Sequence, residues 1–208
     1  MGDVISLAAR RFERQPAPSA AGVPRATRAT FYFDLGSPFT YLAAERVDRQ
    51  LTSVSWRPVL GEIVEAVPPS RALAEERARA LGLPIVWPEP GVGSTRPAMR
   101  VAALAAERGC GAAFVLAASR LAFCGGFELD HPEVLAEAAA AAGLGLDECL
   151  RAAGDSSRDR AMEAAATRLA ELGVVRLPAV RVGRVLFSGE DRLSEAVAAT
   201  QGLSASAV

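Results

Sequence analysis

The sequence predicts an α/β fold in which a strand–helix–strand unit and a strand–strand–helix unit are separated by a large all-helical insertion. Three observations carry that prediction. An aromatic and β-branched run, TFYFDL at 30–35, stops at Gly36, and Ser37-Pro38 opens a helix before VSWRP at 54–58 resumes strand character. From Gly61 to Gly173 the pattern becomes Ala-rich, Leu-spaced and flecked with charge, which is helical. After Gly173, two short apolar runs flank Gly183 as a hairpin, and a last amphipathic segment follows.

Each element has a local reason. Serine at an N-cap accepts an orphan backbone N–H, and proline at the first helical position loses nothing there, so Ser37-Pro38 starts a helix that runs to about Gln50. In the insertion, Gly and Pro breakers such as Trp87-Pro88-Glu89-Pro90-Gly91 leave helices over 71–81, 95–108, 111–123, 132–142, 146–153 and 156–172. The hairpin pairs 179–182 with 184–187, and 191–200 is the final helix. Residues 1–29, rich in Arg, Pro, Ala and Ser, read as a mobile arm with a short helix around 4–14. The domain organisation is therefore an arm at 1–29, an α/β domain made of 30–60 and 173–201, and a helical insertion at 61–172.

Composition excludes several function classes. The chain of 208 residues has 23 basic and 24 acidic side chains spread along its length, a formal charge of -1 that leaves no basic footprint for nucleic acid or an anionic membrane. Every basic residue is arginine, and asparagine is absent as well. No apolar stretch approaches the roughly 20 residues that span a bilayer, and Val4–Ala9 is too short for a signal-peptide core. Cys110, Cys124 and Cys149 are odd in number and form no C-x-x-C pair, so neither a disulfide framework nor a metal site is expected, and a reducing cytoplasmic setting fits. A Ser-His hydrolase would need a base, and the single histidine, His131, stands beside Pro132 at a helix start as a surface or capping residue.

Three patterns occur in order along the chain: F-Y-F-D-L-G-S-P-F-T-Y-L-A from Phe31, G-V-V-R-L-P-A-V from Gly173, and F-S-G-E-D-R-L from Phe187. Together they resemble the 2-hydroxychromene-2-carboxylate isomerases and kappa-class glutathione transferases, a DsbA-like branch of the thioredoxin fold, over about 31–200. The resemblance implies a thioredoxin fold, a thiol-dependent isomerase acting on an unsaturated aromatic-derived acid, glutathione or an analogous thiol as bound co-substrate, no metal, and a homodimer. The alternatives are a kappa-type glutathione transferase and a catalytically silent module that binds an extended peptide.

The resemblance also assigns roles. Ser37 and Thr40 stand where redox-active relatives carry two cysteines, and the missing sulfurs argue against a thiol–disulfide oxidoreductase. A helix start favours an anion, and a serine hydroxyl can donate to a bound thiolate, so Ser37 is the candidate catalytic residue. Leu177, before a cis Pro178, would pair its backbone with the ligand as an added strand does. The backbone of Glu190 and Asp191 and the Asp191 carboxylate would hold the γ-glutamyl end. Each has a plainer reading, since Ser37 and Asp191 also suit helix caps, with Glu195 as a box partner, and most X–Pro bonds are trans. Arg192 is read as structural, pairing with Asp191 or a partner subunit. Relatives carry a lysine after the second strand and an asparagine before the helix that here begins near Thr95. Here those stretches read Gly61-Glu62-Ile63-Val64-Glu65-Ala66 and Gly93-Ser94-Thr95-Arg96-Pro97, which leaves Arg57, Ser94, Thr95 and Arg96 as substitute substrate contacts.

Overall fold

The sheet is assembled from both ends of the chain. A computed structural model describes residues 29–65, 70–89, 91 and 93–205, without the side chains of 203–205. Strand β1 (Ala29–Phe33) leads through α1 (Pro38–Gln50) to β2 (Ser55–Pro58), which pairs parallel with β1. Late in the sequence β3 (Ala179–Val182) pairs antiparallel with the other side of β1, and β4 (Val185–Ser188) pairs with β3, giving the order β2-β1-β3-β4. Between them lie α2 (Gly61–Val64), α3 (Arg71–Leu81), α4 (Arg96–Glu107), α5 (Gly111–Phe123), α6 (Pro132–Ala141), α7 (Leu146–Gly154) and α8 (Asp159–Glu171), and α9 (Leu193–Ala205) closes the chain.

Strand β1 is the central element, and all five of its residues are buried. Period-2 alternation sends Phe31 and Phe33 to one face, where Trp56 meets Phe31 edge-on at 4.9 Å and residues of α1, α4, α5 and α9 complete the core. Tyr32 and Ala179 belong to a smaller cluster on the other side, with Val64, Ala166 and Leu169 of α2 and α8. Local signals set many of the boundaries. Ser70 Oγ accepts from Leu73 N–H at 3.3 Å to open α3, and Gly82 ends it in the left-handed region at φ 66°.

Five expectations need correction. Ala29, assigned to the arm, begins β1 because it pairs with Val182 in the ladder, whereas the arm over 1–28 and its helix over 4–14 lie outside the described residues. The first strand stops at Phe33, since the Asp34 carbonyl accepts from Ser37 N–H at 3.1 Å and turns the chain. The one-turn helix α2 was not foreseen, and its first N–H, on Gly61, is satisfied by Asp34 Oδ2 at 2.6 Å across 27 positions. Residues 156–172 and 191–200 each begin with a 3₁₀ turn, Ser156–Arg158 and Glu190–Arg192, before the α-helix proper. The hairpin turns on Gly183-Arg184, with Gly183 at φ 59°, so its second strand starts one residue later than expected.

Candidate functional site

The end of β1, which leads into α1, lies beside the start of β3, with Tyr32 opposite Ala179 in the ladder. Ser37 is the N-cap residue of α1, but its side chain makes no capping hydrogen bond. Its hydroxyl is buried, at 3 % exposure for the residue, without a hydrogen-bond partner. Thr40, one turn along the same helix, is wholly buried, and its Oγ1 is likewise unpartnered. The capping explanation for Ser37 therefore fails. A buried hydroxyl left unsatisfied costs roughly 1–3 kcal/mol, and two lie together where redox-active relatives are implied to hold sulfur.

Asp34 organises this corner. Its Oδ1 accepts from Gly36 N–H at 2.7 Å and its Oδ2 from Gly61 N–H at 2.6 Å, which ties the Ser37 loop to the start of α2. Burial pushes its pKa upward, the two backbone donors oppose that, Glu62 adds to the rise, and Arg96 works against it. A Cβ on Gly36 would stand 3.2 Å from Asp34 Oδ1 and 3.4 Å from Thr95 Cγ2, so glycine permits the close approach of all three.

The Leu177-Pro178 peptide bond is cis. Pro178 O accepts from Gly189 N–H at 2.9 Å, and Ser188 Oγ bonds both the N–H and the carbonyl of Arg176, at 3.2 and 3.0 Å. The Leu177 N–H, assigned above to a ligand, instead donates to Glu65 Oε1 at 2.8 Å. Burial is the main cause raising the Glu65 pKa; the Leu177 N–H opposes it, nearby Asp34 adds to it and Arg176 reduces it.

The loop after β4 is built differently. Glu190 is 3 % exposed and is held by Arg46 of α1 and by Arg77 of α3, whose Nε lies 3.0 Å from Oε2. Gly189 sits at φ 101°, and a Cβ there would collide with Asp191 Oδ1. The Asp191 carboxylate is exposed, 3.3 Å from Arg176 Nη2. Arg192 does not pair with Asp191 as expected; it makes a two-point pair with Glu195 and lies over Phe187, which also removes Glu195 as a capping-box partner.

The remaining substrate candidates separate. Thr95 packs beside Gly36, next to the Ser37 loop, whereas Ser94 is exposed. Arg96 is engaged by three of the protein's own carboxylates, Glu62, Asp159 at 3.4 Å and Glu163 at 3.5 Å, so it is no free clamp. Arg57 lines a groove along the β2 edge with Thr52, Glu107 and Arg158. His131 precedes α6 without a capping bond, and Nε2 stands 3.5 Å from Glu128. Cys110, Cys124 and Cys149 are free thiols, with Cys124 Sγ 3.1 Å from Tyr41 Oη. Sequence reasoning gave Asp34 and Glu65 no role. Asp34 had one signal, an acid at a strand end two residues before the glycine-serine step; Glu65 had none, because its partner is 112 positions away.

Among the described residues no helix is long and apolar enough to cross a membrane. Comparison with curated protein sequences gives no match. Among solved structures the chain is similar to a 2-hydroxychromene-2-carboxylate isomerase, 21% identical with a TM-score of 0.71 over 85% of this chain and 95% of that one. It is similar also to a probable DsbA oxidoreductase from Streptomyces coelicolor, 23% identical, TM-score 0.66, covering 85% and 90%. A third is the cytosolic disulfide reductase DsbM from Pseudomonas aeruginosa in a structure with GSH, 21% identical, TM-score 0.61, covering 86% and 98%. At these identities the likeness speaks to the fold. The DSBA-like thioredoxin domain model matches residues 29–201, most of the chain, and the protein belongs to that family.

Proposed function

We propose that the protein is a thiol-dependent isomerase of the 2-hydroxychromene-2-carboxylate isomerase type, acting in the cytoplasm with glutathione or another low-molecular-weight thiol on an unsaturated aromatic-derived acid. The observation that carries this reading is the Ser37 hydroxyl, buried and unpartnered at the start of α1. A family that includes both isomerases and disulfide oxidoreductases here has serine and threonine in place of the sulfurs that a redox cycle needs. The bound thiol would supply a nucleophile that adds to an electron-poor double bond, allows rotation about the resulting single bond, and leaves unchanged.

The protein's own residues would do the following. Ser37 would donate its hydroxyl hydrogen to the sulfur, and the positive end of the 13-residue helix α1 would favour the ionised form. Asp34 would hold the Ser37 loop against Gly61, and Thr95, beside Gly36, would face the substrate. The backbone at Leu177, beside Pro178, and the loop of Glu190 and Asp191 would hold the rest of the thiol. The fit is uneven: the helix start offers an unsatisfied donor, whereas the Leu177 N–H is already taken by Glu65. Preorganised donors aimed at developing charge are worth about 3 kcal/mol in catalysis.

Calorimetric titration of glutathione into wild type and Ser37→Ala tests this reading. Wild type should bind and release a thiol proton near neutral pH, and Ser37→Ala should bind more weakly with less proton release. Equal affinity and equal proton release would remove Ser37 from the mechanism. Measurable insulin reduction would instead favour an oxidoreductase.

A further inference from the structure

The contact between Glu65 and Leu177 is a hydrogen bond of a kind that a ligand would make. Strand β3 begins at Ala179 and its ladder with β1 starts there, so the Leu177 N–H lies beyond the paired region of the sheet. An extended chain laid beside this segment would place a backbone carbonyl on that N–H, as strand addition does. Glu65 Oε1 holds the position at 2.8 Å, and one N–H cannot serve two well-aligned acceptors.

The carboxylate is poorly compensated where it sits. Burial and the nearby Asp34 both disfavour its charge, and Arg176, the cation that offsets them, also contacts Asp191. The arrangement is closed to a thiol at two points, because the Ser37 hydroxyl is covered as well.

We propose that Glu65 is a specificity-determining residue of the thiol site, an internal occupant of the Leu177 N–H that a peptide-like thiol must displace to dock beside Pro178. This rests on the thiol-site reading above. Displacement weakens the binding of any thiol whose peptide carbonyl needs that donor. A thiol without a peptide carbonyl is unaffected. Once displaced, the carboxylate stays beside the ligand, which selects against a second negative charge at that end.

The test is titration of reduced glutathione, and separately 2-mercaptoethanol, into the full-length wild type, Glu65→Ala and Glu65→Gln. Glu65→Ala should bind glutathione roughly tenfold more tightly, the equilibrium weight of one well-made hydrogen bond. Glu65→Gln retains an oxygen that can accept from Leu177 and should show a smaller gain, while 2-mercaptoethanol should not distinguish the three proteins. Amide exchange at Leu177 should quicken in Glu65→Ala. Glutathione affinity equal to or below wild type in Glu65→Ala overturns the role of Glu65 and leaves the thiol-site reading standing. No glutathione binding by any of the three proteins overturns both. Should Glu65→Ala fail to fold, an affinity for Glu65→Gln no higher than that of wild type overturns the proposal.

Discussion

Two corners of this molecule bury carboxylates and treat them in opposite ways. At the loop after β4, Glu190 is almost fully enclosed between two arginines drawn from α1 and α3. At the end of β1, Asp34 and Glu65 are enclosed with backbone N–H groups for partners, Asp34 adds to the cost of charging Glu65, and two unpartnered hydroxyls lie nearby. The first corner is satisfied as a clamp between elements. The second keeps groups whose charge or hydrogen bonding is incomplete, which is where ligand chemistry is to be sought, since structural packing gains nothing from such groups.

The comparison can be broken at its strong side first. Glu190→Ala leaves two guanidinium groups without their anion and should cost about 3 kcal/mol in urea unfolding, the low end for a broken buried pair because both arginines reach solvent. A loss below about 1 kcal/mol would mean that the triad is no clamp.

Asp34→Asn probes the weak side. The variant loses one acceptor for the two N–H groups of Gly36 and Gly61 and should be less stable by about 1–3 kcal/mol. The pH dependence has a definite sign. The folded pKa of Asp34 lies above its ordinary 3.8, so the folded protein binds that proton more tightly. Its contribution is full below the unfolded value and is lost as pH rises through the folded one. The deficit of Asp34→Asn should therefore be largest in acid and shrink as pH rises, read from unfolding curves between about pH 4 and 8. A deficit that widens with pH would show a carboxylate held ionised.

The smallest effect belongs to Ser37→Ala. Removing a buried hydroxyl that bonds to nothing in the protein relieves its desolvation cost and should leave stability unchanged or raise it by up to about 1 kcal/mol, even while thiol binding weakens. A loss above about 1 kcal/mol would reveal a structural partner for the hydroxyl and remove the contrast between the two corners.

Most helices were legible because their signals are local. Ser70, Pro38, Pro132 and Gly82 mark starts and stops within one turn, and α1, α3 and α5 fall where the spacing of apolar residues puts them. The one-turn α2 was not legible, since the group that satisfies its first N–H arrives from Asp34 on another strand. The site divides the same way. Ser37, Pro178 and the loop around Asp191 stood out as patterns, whereas Arg96 looked free in the sequence and is bound by three carboxylates from two other segments, α2 and α8.

The order of the strands and of the longer helices, the helix start at Ser37 and the absence of reactive sulfur at 37 and 40 were determined by the sequence alone, because they depend on residues adjacent in the chain. The occupant of each buried donor was decided only by the tertiary structure. Whether Glu65 reaches the Leu177 N–H, whether Glu190 finds two arginines and Asp34 none so close, and whether the Ser37 hydroxyl finds a partner depend on distances between segments up to 144 positions apart. Burial makes those pairings energetically large, and no local pattern encodes them.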